Sequence, residues 1–220
     1  MTAVTLVAGA SSSYLLADGG CYGDDGTILH IRTKIDVSDR LRVAIAHSGL
    51  LSETFQLERW LSELPDQSAM LRSLPEKLRR EMREIEASKD AYPEDFAAFA
   101  NTPVMAHLFV ALWSHEHEEP QAYVIASPGH KFGPSYVPYT VARVSGVEQP
   151  GVDPKFRPPF KAKNARWALP VIKQQRCTPA EDGVSRVAGF AELVTVGSAG
   201  IERRIIHRWR SDKIGRKVTI

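Results

Sequence analysis

Three residues near the start of the chain could together carry out acyl transfer: Thr2, Asp18 and Lys34. If Met1 is removed, Thr2 offers a hydroxyl nucleophile and a free α-amine that can act as its base. Such an amine has a reference pKa of about 8. A lysine ammonium close by pushes that value down, so more of the amine is neutral and able to take a proton. The same charge makes the hydroxyl more acidic. The lysine must itself be held and oriented, and Asp18 supplies the carboxylate. Asp18 follows Thr2 by 16 positions and Lys34 follows it by 32.

The surrounding pattern predicts how these residues meet. Val4–Val7 and Tyr14–Ala17 are short apolar runs separated by small residues, the pattern of a β-hairpin. Asp18 falls at the end of the second strand, before Gly19 and Gly20. Ile28–Ile35 alternates apolar and polar residues, which predicts a strand of the same sheet carrying Lys34.

In these features the chain resembles the β-subunit family of the proteasome and its simpler bacterial relatives, within the N-terminal-nucleophile hydrolases. That family starts its mature chain with threonine, ends its second strand with aspartate and places a lysine on the next strand. Given the threonine, the other two coincide by chance about once in several hundred sequences, each type being roughly one residue in twenty. The resemblance implies an α+β fold, a four-layer α-β-β-α sandwich. It also implies a homo-oligomeric ring with its sites facing an inner chamber. Further roles follow from the same resemblance. A backbone N–H at Ser48 or Gly49 would form the oxyanion hole, and Ser145 would support the terminal amine. Ser198 would be the serine of a turn near the nucleophile, although Thr195 and Val196 stand before it where the family has an aspartate. Tyr22 also departs from the family, and is expected to crowd or reshape a position that binds substrate backbone.

Along the chain, Leu41–Ala46 is expected as a strand, with a tight exit at His47–Gly49 and a helix from about Ser52. Leu71–Ala87 is an amphipathic helix whose stripe Leu74, Leu78, Met82 and Ile85 should face a core. The family usually has less chain over the segment 66–102, which is expected to include an insertion within one domain spanning 1–220. Val104–Trp113 and Gln121–Ala126 form a second hairpin. Val141–Gly146 is a short strand, and the Pro-rich Val147–Pro159 is irregular. Ala162–Gln175 reads as a helix interrupted by Pro170. Thr178-Pro179-Ala180-Glu181 is a helix-start signature, predicting a helix to about Val194. Ile201–Trp209 and Arg216–Ile220 are expected to close the fold as a hairpin.

Composition narrows the function. A chain of 220 residues with 43% apolar residues can bury a sizeable core. Its net charge of +2 gives no support to nucleic-acid or membrane-surface binding. No apolar run is long enough to span a bilayer, and no secretory signal is evident. Two cysteines, Cys21 and Cys177, suit a reduced cytoplasm. His115 and His117, with the neighbouring glutamates, read as a solvated turn and not a metal site. No metal or organic cofactor is expected. The first expectation is a threonine hydrolase acting on peptide or protein amides. The alternatives are an amidohydrolase for a small molecule and a silent ring-forming scaffold. The sequence leaves the substrate, the ring size and any ATP-dependent unfoldase partner open.

Overall fold

A computed structural model describes residues 3–51, 55–100, 103–128, 134–145, 154–179 and 183–219. The chain opens with the expected hairpin, β1 (Val4–Ala8) and β2 (Ser12–Asp18). Two short strands follow, β3 (Gly20–Tyr22) and β4 (Ile28–Ile31). Next come β5 (Ile35–Ser38) and β6 (Val43–Gly49), then helices α1 (Leu57–Glu63) and α2 (Gln67–Ala91). The second predicted hairpin is present as β7 (Ala106–Trp113) and β8 (Pro120–Ala126). Strands β9 (Tyr139–Thr140) and β10 (Arg143–Ser145) lead to helix α3 (Ala168–Arg176). The chain ends with β11 (Phe190–Gly197) and β12 (Gly200–Arg208).

Among the described residues the strands form three antiparallel sheets: β10-β1-β2-β11-β12, β3-β4 and β5-β6-β7-β8-β9. The two five-stranded sheets face each other, and strand alternation sorts their side chains between layers. Leu15 and Ala17 of β2 meet Ala44 and Ala46 of β6 and Phe109 of β7 in the core between the sheets. The alternate residues Tyr14 and Leu16 point the other way, against Trp167 and Val171. Val43 and Ile45 of β6, with Leu108 and Val110 of β7, pack instead under α1 and α2.

Helix α2 shows why its segment is helical. Asp66 caps it by accepting the Ala69 N–H at 2.7 Å. Its buried residues Met70, Leu74, Leu78, Met82 and Ile85 recur at helical spacing and join the core over β6 and β7. Pro75 lies inside the helix.

Several expectations are corrected. A four-layer α-β-β-α sandwich does not describe this architecture. The described residues form three sheets, and helical cover is unequal: α1 and α2 pack on one five-stranded sheet, while the nine-residue α3 packs on the other. The helix expected from Thr178 to Val194 is largely absent: among the described residues, 184–188 are irregular and Phe190–Gly197 is strand. Pairing of β11 with both β2 and β12 outweighs the local start signature, part of which (180–182) lies outside the described residues. Likewise α3 begins at Ala168, with Pro170 in its first turn, where a proline costs no helical hydrogen bond. The final hairpin is β11 with β12, whereas Lys217 bridges to Thr27. The strand expected over Ile28–Ile35 is broken, with β4 in the two-stranded sheet and β5 in a five-stranded one. Lys34 sits in the link between them, not on a strand of Asp18's sheet.

Candidate active site

Asp18 is the last residue of β2 and is 1% exposed. A carboxylate so buried must be matched by donors, and the fold brings five to it. Its Oδ1 accepts Lys34 Nζ at 3.0 Å and the Ala3 N–H at 3.1 Å. Its Oδ2 accepts the Tyr22 hydroxyl at 2.9 Å and the N–H groups of Gly20 and Ala188, both at 3.0 Å. The Asp18 and Lys34 side chains are 0% and 1% exposed, so the ion pair is closed from solvent. The link after β4 carries Lys34 across from one sheet to the other and delivers its ammonium to the end of β2.

The partners of Asp18 come from separate parts of the chain. Ala3 precedes β1, Gly20 and Tyr22 lie on β3, and Ala188 precedes β11. The segment Val187–Gly189 is held from behind by a second buried pair, Arg176 with Asp212. Arg176 grips both Asp212 oxygens, at 2.9 and 2.7 Å, and also donates to the Val187 carbonyl. Asp212 Oδ2 in turn accepts the Gly189 N–H at 2.8 Å.

Beside Lys34, a cleft of about 660 Å³ opens along β5, the end of β6 and α1. Its walls include Arg32, Asp36, His47, Phe55 and Glu58. Burial, then the charges of Lys34 and Arg32, lower the His47 pKa to about 3, so its imidazole is neutral at ordinary pH. Burial, then Glu58, raises Asp36 to about 6. At the rim, Thr33 donates to Glu192 at 2.7 Å, and Arg203 pairs with the same carboxylate.

The other expected site residues are distributed as follows. Thr2 lies outside the described residues. Ser48 and Gly49 are part of β6, opposite His107 and Ala106 of β7, and not a turn after the strand. The pairing of Ile35 with Ala46 carries the chain so that His47, Ser48 and Gly49 continue alongside the Lys34 segment. Gly49 has φ +100°, and a Cβ there would fall 2.1 Å from the Met105 carbonyl oxygen, so this position needs glycine. Ser145 ends β10, its backbone beside Thr5. Ser198 is exposed in the β11–β12 turn. Because Asp18 pairs with Ala191 and Ser12 with Gly197, Ser198 stands at the opposite end of β11 from Asp18. That separation is roughly 20 Å along the strand, so the structure does not bring Ser198 to the site.

Tyr22 does not crowd an open substrate position. It is 5% exposed and packs with Ile28 and Ala188, its hydroxyl turned to Asp18. The alternation Asp18-x-Gly20-x-Tyr22 carries a signal for this contact, since alternate strand residues share a face. Ala188 had no such signal. Cys21 is half-buried and Cys177 exposed, both as free thiols. Among the described residues, no group of three or more His, Cys, Asp or Glu side chains could hold a metal ion. No helix among them is long and apolar enough to cross a membrane.

No family model matches the chain, and no curated protein matches it. Its structure is similar to that of Anbu (ancestral beta-subunit) from Yersinia bercovieri, with a TM-score of 0.65 and 11% sequence identity. The match covers 94% of this chain and 87% of the other. The chain therefore shares the fold of that protein. The resemblance carried by the first 50 residues is corrected accordingly. What the comparison supports is a likeness of fold to an ancestral beta-subunit at 11% identity, not a bacterial proteasome-type homologue. The likeness is one of fold, at an identity too low to carry more.

Proposed function

We propose that the chain is a threonine hydrolase of the N-terminal-nucleophile type, acting on amide bonds after Met1 is removed. One observation carries this reading. Ala3, joined to Thr2 by a single peptide bond, donates its N–H to the same Asp18 oxygen that accepts Lys34 Nζ, at 3.1 and 3.0 Å. The start of the chain is thereby tied to a buried ammonium–carboxylate pair.

In this reading the Thr2 oxygen attacks the amide carbonyl carbon. Its proton passes to the chain's own α-amine. The carbonyl π electrons move onto oxygen, where a backbone N–H of the β6 end, at Ser48 or Gly49, stabilises the charge. Such a donor is typically worth about 3 kcal/mol. As the oxyanion collapses, the carbon–nitrogen bond breaks and the leaving amine takes the proton from the α-amine. Water then attacks the ester carbon, the bond from that carbon to the Thr2 oxygen breaks, the carboxylic acid leaves, and a proton from the water restores the threonine hydroxyl. Lys34 keeps positive charge beside the reacting oxygen, and Asp18 holds Lys34. The adjoining cleft is where an acyl side chain would lie. A single domain over 1–220, assembled with copies of itself, completes the proposal.

The test is intact mass and covalent labelling. Protein purified from cells should lack one methionine. It should gain a single adduct from an epoxyketone or vinyl-sulfone peptide, and Thr2→Ala should not. A retained Met1 in material that still hydrolyses amides would overturn the reading.

A further inference from the structure

The carboxylate of Asp18 presents different partners on its two oxygens. Oδ1 faces Lys34 and the start of the chain, the side on which chemistry is proposed. Oδ2 faces three neutral donors, two of which are backbone N–H groups of Gly20 and Ala188. The third is a side chain, Tyr22, at 2.9 Å. The Tyr22 ring also lies 5.7 Å from Lys34 Nζ, so a single aromatic residue touches both members of the ion pair.

We infer that Tyr22 is a positioning residue for the Asp18–Lys34 pair: its hydroxyl locks the rotation of the carboxylate and so sets where the lysine ammonium sits. The inference rests on the hydrolase reading for its consequence in catalysis, but not for its geometry.

Two further observations support it. Burial and the Asp18 charge hold the Tyr22 proton well above the ordinary tyrosine range, so the hydroxyl remains a donor at any working pH. Space for that hydroxyl also depends on Gly20: a Cβ at residue 20 would lie 2.3 Å from Tyr22 Oη. The chain thus leaves room at position 20 for the hydroxyl at position 22, on the same face of β3. A tyrosine that merely filled the small cluster with Ile28 and Ala188 would need its ring alone.

The experiment compares wild type with Tyr22→Phe, which keeps the ring, and with 3-fluorotyrosine at position 22, which keeps the donor. Protein labelled with ¹³C-lysine gives a Cε–Hε resonance for Lys34, assigned through Lys34→Arg. In Tyr22→Phe that resonance should move, and exchange of the Ala3 amide hydrogen should accelerate at least tenfold. The fluorinated protein should restore both to within twofold of wild type. Against a panel of fluorogenic acyl-peptides, Tyr22→Phe should lower kcat about tenfold and leave KM within twofold. Gly20→Ala, which displaces the hydroxyl, should reproduce the Lys34 shift. An unmoved Lys34 resonance and unchanged Ala3 exchange in folded Tyr22→Phe would overturn the inference. If these two shift as expected while even wild type hydrolyses no amide, the positioning role stands and the hydrolase reading fails.

Discussion

Two buried ion pairs stand on either side of the segment Val187–Gly189, and they are built differently. Arg176 and Asp212 join through a planar fork with both oxygens engaged, and Arg176 also holds the carbonyls of Val187 and Thr219. Lys34 meets Asp18 through one contact at 3.0 Å, and the remaining Asp18 contacts come from the hydroxyl of Tyr22 and three backbone N–H groups. A guanidinium fork fixes geometry in several directions at once, whereas an ammonium is a compact charge whose proton can take part in chemistry. The first pair is a clasp between the C-terminal segment and the approach to β11. The second presents a charge at the head of the chain. Burying a pair is weak grounds for stability, but removing one member leaves a stranded charge.

That contrast can be broken by experiment. The largest effect should come from Asp18→Ala, which takes the buried carboxylate away from Lys34 and four other donors. Urea denaturation should show a loss of about 3–5 kcal/mol. Lys34→Arg keeps the charge but not the compact ammonium, and it should lower amide hydrolysis per folded molecule about a hundredfold, or roughly 2.7 kcal/mol of transition-state stabilisation. Full activity in Lys34→Arg would erase the distinction between the two pairs. The mirror substitution, Arg176→Lys, should behave oppositely. It should cost about 2 kcal/mol in stability through its lost bonds and leave turnover per folded molecule within threefold.

The smallest effect sharpens the comparison with a half-solvated carboxylate. Asp36 faces Glu58, Glu192, Arg32 and Arg203, with His47 on the same cleft. Its pKa is raised from 3.8 to about 6 in the folded protein. The folded state therefore binds this proton more tightly than the unfolded chain, and the stability linked to it is full below 3.8 and lost as pH rises through about 6. Asp36→Asn should raise stability at pH 7 by about 1 kcal/mol, discounted for solvent screening. The gain should vanish near pH 3.5, as thermal melts at the two pH values would show.

Much of the strand order was legible because it is written in period two. Val4, Leu6, Leu15 and Ala17 alternate with Val7, Tyr14 and Leu16, and the sheet sends the two sets into different cores. The stripe of α2 was legible for the same kind of reason at helical spacing. Segments whose local signals opposed their pairing were not legible. Thr178-Pro179 signals a helix start, yet the chain beyond it becomes a central strand between β2 and β12. The alternating run Ile28–Ile35 hides a break, because its two halves serve different sheets.

By itself, the sequence determined the types and spacing of Asp18 and Lys34, the small residues before Tyr22, and the alternation that ends β2 at the carboxylate. Tertiary structure alone decided what surrounds that carboxylate. Ala188 lies 170 positions from Asp18 and meets it at 3.0 Å. Asp212 reaches Gly189 from 23 positions away. Contacts of that kind arise when separate strands pack together to satisfy a buried charge, and no local period in the chain records which distant N–H will answer it.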